Sequence, residues 1–334
     1  MLDSGGVNKK WLTHQPAIEH VFIYIQYNKC GGFCQHSHHV VRKRGTFMAI
    51  HNQVFLYGQI TQLPRIIKDE QGNYVQGSGK LTIVSGKRNV NIDGTHSKHA
   101  KIEYGELPVA TGNPELVETM DNIKIGDIVF IKGNIITRNV KKIKKCPSCG
   151  APYEKLGVIT FINPIHLSIE KTGLSLDEGE TLLKNYGEVS NVATILGTIC
   201  KAPEVTVQTK KNMIVKFPLA IDRKYFIADD NPETRTDYPV VHVHGKEAGE
   251  DILKRYQPGA GVFLDGCVQY RKYKHQQYPC QNPECQEFVP WDDWTLDIVP
   301  YAIEYIRGWK SDKQLEEEAY EKAGIHPLPA AASE

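Results

Sequence analysis

The sequence PGAGVFLDGCVQYRKYKH, from Pro258 to His275, contains the strongest structural signal in the chain. It reads as a turn and then a strand, in which Val262 and Leu264 alternate with more exposed positions up to Gly266. The run that follows ends in a basic and aromatic arm, formed by Tyr270, Arg271, Lys272, Tyr273 and Lys274. A buried strand is therefore predicted to run directly into a segment with the chemistry of a binding surface.

The same pattern occurs earlier, in GDIVFIKGNIITRNVKKIKK from Gly126 to Lys145. Both stretches contain Val-Phe-aliphatic-x-Gly, and both place an arginine five residues after that glycine. A second pair of stretches agrees: NQVFLYGQITQLP and NVATILGTICKAP both read Asn-x5-Gly-x-Ile-x3-Pro, beginning at Asn52 and Asn191. The sequence thus predicts an internal duplication, in which each copy has a long strand bent at a glycine and ended by a proline.

The order of predicted elements indicates the fold. Each copy continues with a hairpin-like pair, Gly79 to Ile92 or Val205 to Ile221, and then with a helical segment before the repeated strand. In the second copy, the strand Tyr238 to Gly245 precedes that helix. Five strands with a helix between the third and the fourth is the order of the oligonucleotide-binding (OB) fold.

The repeat extends past the strands, because capping boxes at Ser175 and Ser311 predict a trailing helix in each copy. We expect a mainly β protein with two tandem OB-fold barrels, each followed by a short helix, and with zinc-ribbon-like insertions. We predict an N-terminal extension with a Cys/His hairpin at residues 1–50 and a tail at residues 325–334. Between them lie two barrel-plus-helix units, at residues 51–188 and 189–324.

Composition is that of a globular protein inside a cell. The 334 residues are 40% hydrophobic and 24% charged, and the formal net charge is +1. No apolar run approaches the roughly 20 residues that span a bilayer, and Met1 to Lys10 is too polar for a signal peptide. We expect a cytoplasmic protein without a membrane partner.

Basic and aromatic residues on the predicted barrels suit a single-stranded nucleic acid. Aromatic rings stack on bases and cations neutralise phosphates, with no need for a particular base sequence. In the second copy the candidates are Arg223, Lys224, Tyr225 and the arm residues Tyr270, Arg271, Lys272, Tyr273 and Lys274. In the first copy they are Lys87, Arg88, Arg138, Lys141, Lys142, Lys144 and Lys145. For any one of them, a solvated charge or a packed ring is the competing interpretation.

The segment from Asn191 to Ile306 resembles the bacterial single-stranded DNA-binding protein family. The resemblance lies in NVATILGTICKAPEV, VKFPLAIDRKY and HGKEAGEDILKRYQPGAGVFLDGCVQYRKY. It implies that Tyr225 and Tyr273 stack on bases, although the family's usual residue there is Trp. The end of the chain, HPLPAAASE, differs from the acidic, Phe-terminated tip of the family.

Six of the eight cysteines fall in close pairs, which favours metal ligands over disulfides. CPSCG, with Cys146 and Cys149, has the form of a zinc knuckle, and a structural zinc needs four ligands. Three arrangements are open. Cys146 and Cys149 join Cys30 and Cys34 in a zinc ribbon, which we favour, or they join Cys280 and Cys285 in a site between the barrels. In the third arrangement, His36, His38 or His39 complete separate sites. Reduced free thiols are the fourth interpretation.

These features predict a sequence-independent single-stranded DNA-binding protein of replication or recombination, with structural zinc and no catalysis. Partners would be single-stranded DNA, replication or recombination proteins and, as an open alternative, further copies of the chain. The duplication suggests a phage or another mobile element as its carrier. One rival is an RNA-binding OB protein, and a rival of another class is a zinc-dependent nuclease built around His36 to His39.

Overall fold

The protein is mainly β in a computed structural model, which describes residues 51–85, 103–210, 212–223, 236–272, 276–291 and 293–324. We call residues 51–187 the first half and residues 191–324 the second half. The strands of the first half are β1 His51–Gln59, β2 Arg65–Lys68, β3 Tyr74–Ser85, β4 Glu103–Thr111, β5 Ile128–Lys145 and β6 Pro152–Lys171. Its helices are α1 Pro114–Asp121 and α2 Leu176–Tyr186, and a 3-10 turn, Gly187–Ser190, leads into the second half.

The second half contains more, and shorter, strands. They are β7 Asn191–Ile199, β8 Glu204–Gln208, β9 Met213–Asp222, β10 Thr236–Asp237, β11 Val240–His244, β12 Gly261–Lys272, β13 Gln276–Pro279, β14 Phe288–Trp291 and β15 Trp294–Arg307. Its helices are α3 Lys246–Arg255 and α4 Asp312–Lys322.

Strand pairing returns to its starting strand in each half. In the first half, β1 pairs with β3, β3 with β4, β4 with β6 in parallel, β6 with β5, and β5 with β1. The second half repeats this circuit with β7, β9, β11, β15 and β12. The helices α1 and α3 lie at the same step of the two circuits, directly before β5 and β12. Buried aliphatic side chains from the strands of each circuit form the core.

The repeated asparagines hold equivalent strands together. The side-chain amide of Asn52 exchanges two 3.0 Å hydrogen bonds with the backbone of Ile135. Asn191 makes the same exchange with Val268, at 2.8 and 3.1 Å, and its Nδ2 also donates to Val84 O of the first half. Each amide satisfies backbone groups that the strand ladder leaves unpaired, and burial makes those bonds costly to lose. The recurring asparagine thus has a structural reason.

The repeated glycines mark close approaches. Gly133 and Gly266 stand at register shifts, opposite Pro164 and Pro300. A Cβ on Gly133 would lie 2.8 Å from Asn163 O, and one on Gly266 would lie 2.3 Å from Val299 O. A larger residue would therefore push the two strands apart at each bulge.

Most predicted elements are confirmed. Helices follow the capping boxes at Ser175 and Ser311, and β8 and β9 form the hairpin predicted within residues 205–221. Of the hairpin predicted from Gly79 to Ile92, residues 79–85 form the end of β3, and the remainder lies outside the described residues. β3 begins earlier than predicted, at Tyr74, and pairs with β2, the strand before it. Alternation along a long strand cannot by itself locate where the strand begins.

The halves are joined by antiparallel pairing of β1 with β7, which makes one continuous sheet of 13 strands. The strands β13 and β14 form a separate two-stranded sheet. Within the residues that the structure describes, every helix is too short or too polar to cross a lipid bilayer.

Candidate functional site

Two extensions of the strand circuits meet at one side of the molecule. The first arm, residues 138–159, is the far part of the β5–β6 pair. The second arm, residues 270–295, comprises the ends of β12 and β15 and the β13–β14 hairpin between them. The two arms contain most of the predicted nucleic-acid-binding residues and four of the predicted metal ligands. Their contacts decide which side chains remain accessible.

Strand alternation divides the lysines of the first arm between its two faces, because successive side chains point to opposite sides. Lys142 is buried and forms an ion pair with Asp293 of the second arm. Lys144 lies 5.6 Å from the ring centre of Trp291. Lys141 and Lys145 are exposed on the opposite face, where Lys141 pairs with Glu154 at 2.5 Å. The basic run is thus partly an interface between the arms.

Aromatic rings fill the space between the arms. Tyr153 of the first arm stacks on Tyr278 of the second, with ring centres 5.4 Å apart, and Trp291 approaches Tyr153 by its edge at 5.6 Å. Lys155 Nζ donates to the Tyr278 hydroxyl at 2.7 Å. Trp291 is 1% exposed, so this contact is a small core and excludes water.

A buried carboxylate joins the halves at the base of the first arm. Asp237 Oδ1 accepts from the backbone N–H of Thr137 at 2.6 Å. The same carboxylate pairs with the Arg223 guanidinium, at 2.5 Å from Nε. Arg223 is only 7% exposed, and its charge is paired with the Asp237 carboxylate within the fold. Its predicted contact with DNA stays a prediction.

Arg271 belongs to a polar group with Asp297 and His242. Its guanidinium pairs with the buried Asp297 carboxylate, and Nη2 lies 2.8 Å from His242 Nδ1. A nitrogen that accepts from a guanidinium must be unprotonated, which requires a neutral imidazole. Burial and the charge of Arg271 agree, since they lower the pKa of His242 to about 3. Burial also raises the pKa of Asp297, although Arg271 opposes that change.

The corresponding arginine of the first half has different surroundings. Arg138 lies over the ring of Phe161, with 5.7 Å between the guanidinium carbon and the ring centre. Tyr270, on the second arm, packs against Trp294 with ring centres 5.8 Å apart. Burial raises the pKa of Tyr270, as expected for a ring that packs against protein.

Several predicted residues lie outside the described part of the chain. They are Lys87, Arg88, Lys224, Tyr225, Tyr273, Lys274, Cys30 and Cys34. Among the predicted residues that are described, Lys141, Lys145 and Lys272 have exposed side chains. The packing of the arms brings lysines of the first half beside the second arm.

The sequence did not reveal which residues pair with the basic side chains within the fold, or which residues pack between the arms. These are Asp237, Asp293 and Asp297 for the cations, and Tyr153, Lys155, Tyr278 and Trp291 for the packing between the arms. No local signal marks the arm interface, because the lysines of the first arm stand on both faces of the strand, Lys142 and Lys144 on one and Lys141 and Lys145 on the other.

The four cysteines Cys146, Cys149, Cys280 and Cys285 form one cluster at the tips of the arms. All four sulfur atoms lie within 4.8 Å of one another. Cys146 Sγ is 3.8 Å from Cys285 Sγ, and Cys149 Sγ is 3.5 Å from Cys280 Sγ. A tetrahedral ion with metal–sulfur bonds of about 2.3 Å separates its ligands by about 3.8 Å. The geometry therefore fits a tetrathiolate site.

Backbone amides surround the cluster as they would surround thiolates. The N–H of Asn282 lies 3.4 Å from Cys280 Sγ. The N–H of Ala151 faces Cys149 and, as the main cause, lowers the pKa of that thiol to about 7. For Cys280 the Asn282 N–H acts in the same direction, but desolvation and the neighbouring sulfurs outweigh it and raise its pKa to about 12. Four thiols this close do not ionise together without a cation.

This cluster corresponds to the second of the three predicted arrangements, in which the ligands come from both halves. The favoured ribbon with Cys30 and Cys34 is not required to complete four ligands. Those two cysteines, like His36, His38 and His39, lie outside the described residues. Cys200 and Cys267 stand apart from the cluster.

Comparison with known proteins yields a family for part of the chain. Residues 190–282 match the single-strand binding protein family, which confirms the resemblance predicted for the second half. The wild-type single-stranded DNA-binding protein from Thermus aquaticus has a TM-score of 0.49 and 14% identity, over 77% of this chain and 94% of that chain. A deletion mutant of that protein has a TM-score of 0.48 and 15% identity, over 80% of this chain and 100% of the mutant chain. No curated protein matches the sequence.

Proposed function

We propose that this chain binds single-stranded DNA without sequence preference and coats it during replication or recombination. The observation that carries the proposal is the match of residues 190–282 with the single-strand binding protein family. That segment begins just before β7 and includes α3, β12 and the start of the second arm. The proposal is a binding function without catalysis, in which the protein holds the strand and changes none of its bonds.

We infer that each half is an OB-fold barrel with a trailing helix, so that the chain carries two binding units in tandem. The support is the repeated circuit of five strands, closed by a parallel pair, with a helix before the fourth strand. The shared asparagine amides and glycine bulges point to an internal duplication. The proposed domain boundaries are those predicted from the sequence, residues 51–188 for the first unit and residues 189–324 for the second.

The proposed contacts combine stacking and charge. Tyr225 and Tyr273 would stack on bases, while Lys145 and Lys272 present exposed ammonium groups for phosphates. Stacking contributes about 1 to 3 kcal/mol per base, so two rings would contribute about 2 to 6 kcal/mol to the affinity of one half. Arg223 and Lys142 have other partners and would act by holding the arms in place.

The cofactor in this proposal is one structural zinc ion at the four-cysteine cluster. Zinc suits four thiolates in tetrahedral geometry, and a closed site of this kind has no open position for chemistry. The ion would stabilise the arms and would not act on DNA.

The test is binding of fluorescent oligonucleotides to the full chain at several salt concentrations. We expect single-stranded DNA to bind far more tightly than a duplex of the same length, with little dependence on base sequence. The logarithm of the affinity should fall linearly with the logarithm of salt concentration, with a slope of about −0.7 for each phosphate that is neutralised.

Two outcomes would overturn the proposal. If RNA of equal length displaced the DNA completely at equal concentration, an RNA-binding function would take its place. If the labelled strand were cleaved in the presence of Zn²⁺, and not in its absence, the protein would be a nuclease. A variant with His36, His38 and His39 replaced by Ala would then identify the residues of that activity.

A further inference from the structure

The β13–β14 hairpin depends on the first arm for its position. It forms its own two-stranded sheet, separate from the sheet of 13 strands. Its side-chain contacts with the first arm include Tyr278 with Lys155, and Gln281 with the backbone of Glu154, at 3.3 Å in both directions. An element of this size is marginal in water unless something else fixes it.

The cysteine pairs lie where the first arm and the hairpin meet. Cys146 and Cys149 occupy the turn between β5 and β6, and Cys280 and Cys285 occupy the turn between β13 and β14. The two turns are built alike: Cys146 N donates to Ala151 O at 2.8 Å, and Cys280 N donates to Glu287 O at 2.9 Å. Each closed turn directs two sulfurs to a common centre.

We propose that a single Zn²⁺ ion, bound by two cysteines from each half, clasps the first arm to the β13–β14 hairpin. The sulfur separations of 3.5 and 3.8 Å are edges of a tetrahedron of the required size. They are far longer than the 2.03 to 2.05 Å of a disulfide. The ion therefore cross-links two parts of the chain that are distant in sequence, and this inference does not depend on what the protein binds.

The clasp has a mechanical consequence for the molecule. The halves are already joined near their centres by β1 and β7, and the ion would join them again at the tips of the arms. Between these points lie the Lys142–Asp293 pair and the stack of Tyr153 on Tyr278. With the ion bound, both arms move as one body. Without it, the hairpin keeps the packing around Trp291 and the hydrogen bonds of Tyr278 and Gln281, but the bonds through the ion that link the two turns are lost.

The experiment uses Co²⁺ as a coloured probe with the full chain, reduced and freed of metal. We expect one Co²⁺ per chain and the absorption bands of tetrahedral thiolate coordination. The double variants Cys146→Ser/Cys149→Ser and Cys280→Ser/Cys285→Ser should each lose the four-sulfur spectrum and the tightly bound ion. Cys200→Ser and Cys30→Ser/Cys34→Ser are the matched controls, and both should still bind one ion with the same spectrum.

The alternatives predict different results. Two ions per chain, or a four-sulfur spectrum that persists in either cluster variant, would overturn the shared site. Loss of that spectrum in Cys30→Ser/Cys34→Ser would favour the zinc ribbon instead. No bound metal in the wild type would leave four free thiols and also refute the clasp.

A second measurement covers the case in which the cluster variants do not fold. Hydrogen exchange of the wild-type protein is compared with and without a chelator. We expect protection of the amides in residues 276–291 to fall at least tenfold when the metal is removed. The pairing of β12 with β15 from Val262 to Gln269, outside the second arm, serves as an internal control and should keep its protection. Unchanged exchange in the hairpin would show that the ion, even if bound, does not hold the arms together.

Discussion

The two halves have an arginine at the same position of their strand circuits, but its side chain contacts a different kind of residue in each half. Arg138 and Arg271 each follow the bulge glycine by five residues, while Phe161 and Asp297 each precede the bulge proline by three. In the first half the arginine lies over a phenylalanine ring. In the second half it pairs with a buried aspartate.

The third strand of each circuit, β4 in the first half and β11 in the second, also carries different residues beside the arginine. Val109 pairs with Ile162, and Val241 pairs with Ile298, so the next residues along, Ala110 and His242, are equivalent. Ala110 packs against an apolar cluster, whereas His242 contacts Arg271. The backbone geometry of the halves is shared, but the side chains between the strands are not. A function assigned to a residue in one half therefore does not transfer to its counterpart.

The largest expected effect tests the shared geometry. Asn191→Ala should lower the free energy of unfolding by about 3 to 5 kcal/mol, and Asn52→Ala by about 2 to 4 kcal/mol. Each leaves buried backbone groups unpaired, and Asn191 makes one more hydrogen bond than Asn52. Denaturant unfolding measures both, with Asn139→Ala on the exposed face of the first arm as control. Losses below 1 kcal/mol for both variants would mean that these amides do not hold the strands.

The second prediction separates the two arginines. Arg271→Met should cost about 2 to 3 kcal/mol of stability, because it leaves the Asp297 carboxylate buried without its cation. Arg138→Met should cost less, with about 0.5 to 1 kcal/mol coming from the lost cation–π contact with Phe161. Adding Asp297→Asn to Arg271→Met should restore part of the loss. Equal costs for the two single variants would remove the distinction between the halves.

A third prediction concerns DNA affinity. Tyr225→Ala and Tyr273→Ala should each weaken single-strand binding by about 1 to 3 kcal/mol, the contribution of one stacked base. Val140, which occupies the position of Tyr273 in the first arm, offers no ring, so Val140→Ala should change affinity little. Tyr320→Ala, on α4, controls for loss of an exposed tyrosine elsewhere. Unchanged affinity in the first two variants would identify their rings as packing.

A fourth prediction uses pH to distinguish the halves. The pKa of His242 is about 3 in the folded protein and near 6.5 when unfolded, so the unfolded chain binds the extra proton. Stability from this group is present above pH 6.5 and is lost as the pH falls, by about 2 kcal/mol at pH 5. His242→Ala, which imitates Ala110 of the first half, should flatten that dependence. A wild-type stability that is constant from pH 6.5 to 4 would contradict it.

The smallest effect separates the faces of the first arm. Lys145→Ala should reduce DNA affinity by about 0.5 to 1 kcal/mol and lower the salt slope by about 0.7, with stability unchanged. Lys142→Ala should instead lower stability, because it leaves Asp293 without its partner inside the arm interface. The reverse assignment of these effects would mean that the buried lysine is released when DNA binds.

Much of the fold could be predicted because its signals are local. The asparagine and glycine repeats located β1, β5, β7 and β12, and the capping boxes located α2 and α4. The start of β3 could not be located, because the alternation of apolar and polar residues does not show at which residue pairing with β2 begins. The candidate site was predicted by residue type, but the partners of Arg223, Lys142 and Arg271 come from distant parts of the chain.

The sequence by itself determined the repeat, the mainly β architecture and the cysteine pairs, because strand alternation, glycine at close approaches and thiol spacing are properties of short segments. The tertiary structure alone decided which cysteines meet and which cations stay exposed. Cys146 and Cys285 come within 3.8 Å only because the arms of the two halves pack face to face. That packing depends on the burial of Trp291 and the pairing of Lys142, which no local pattern contains.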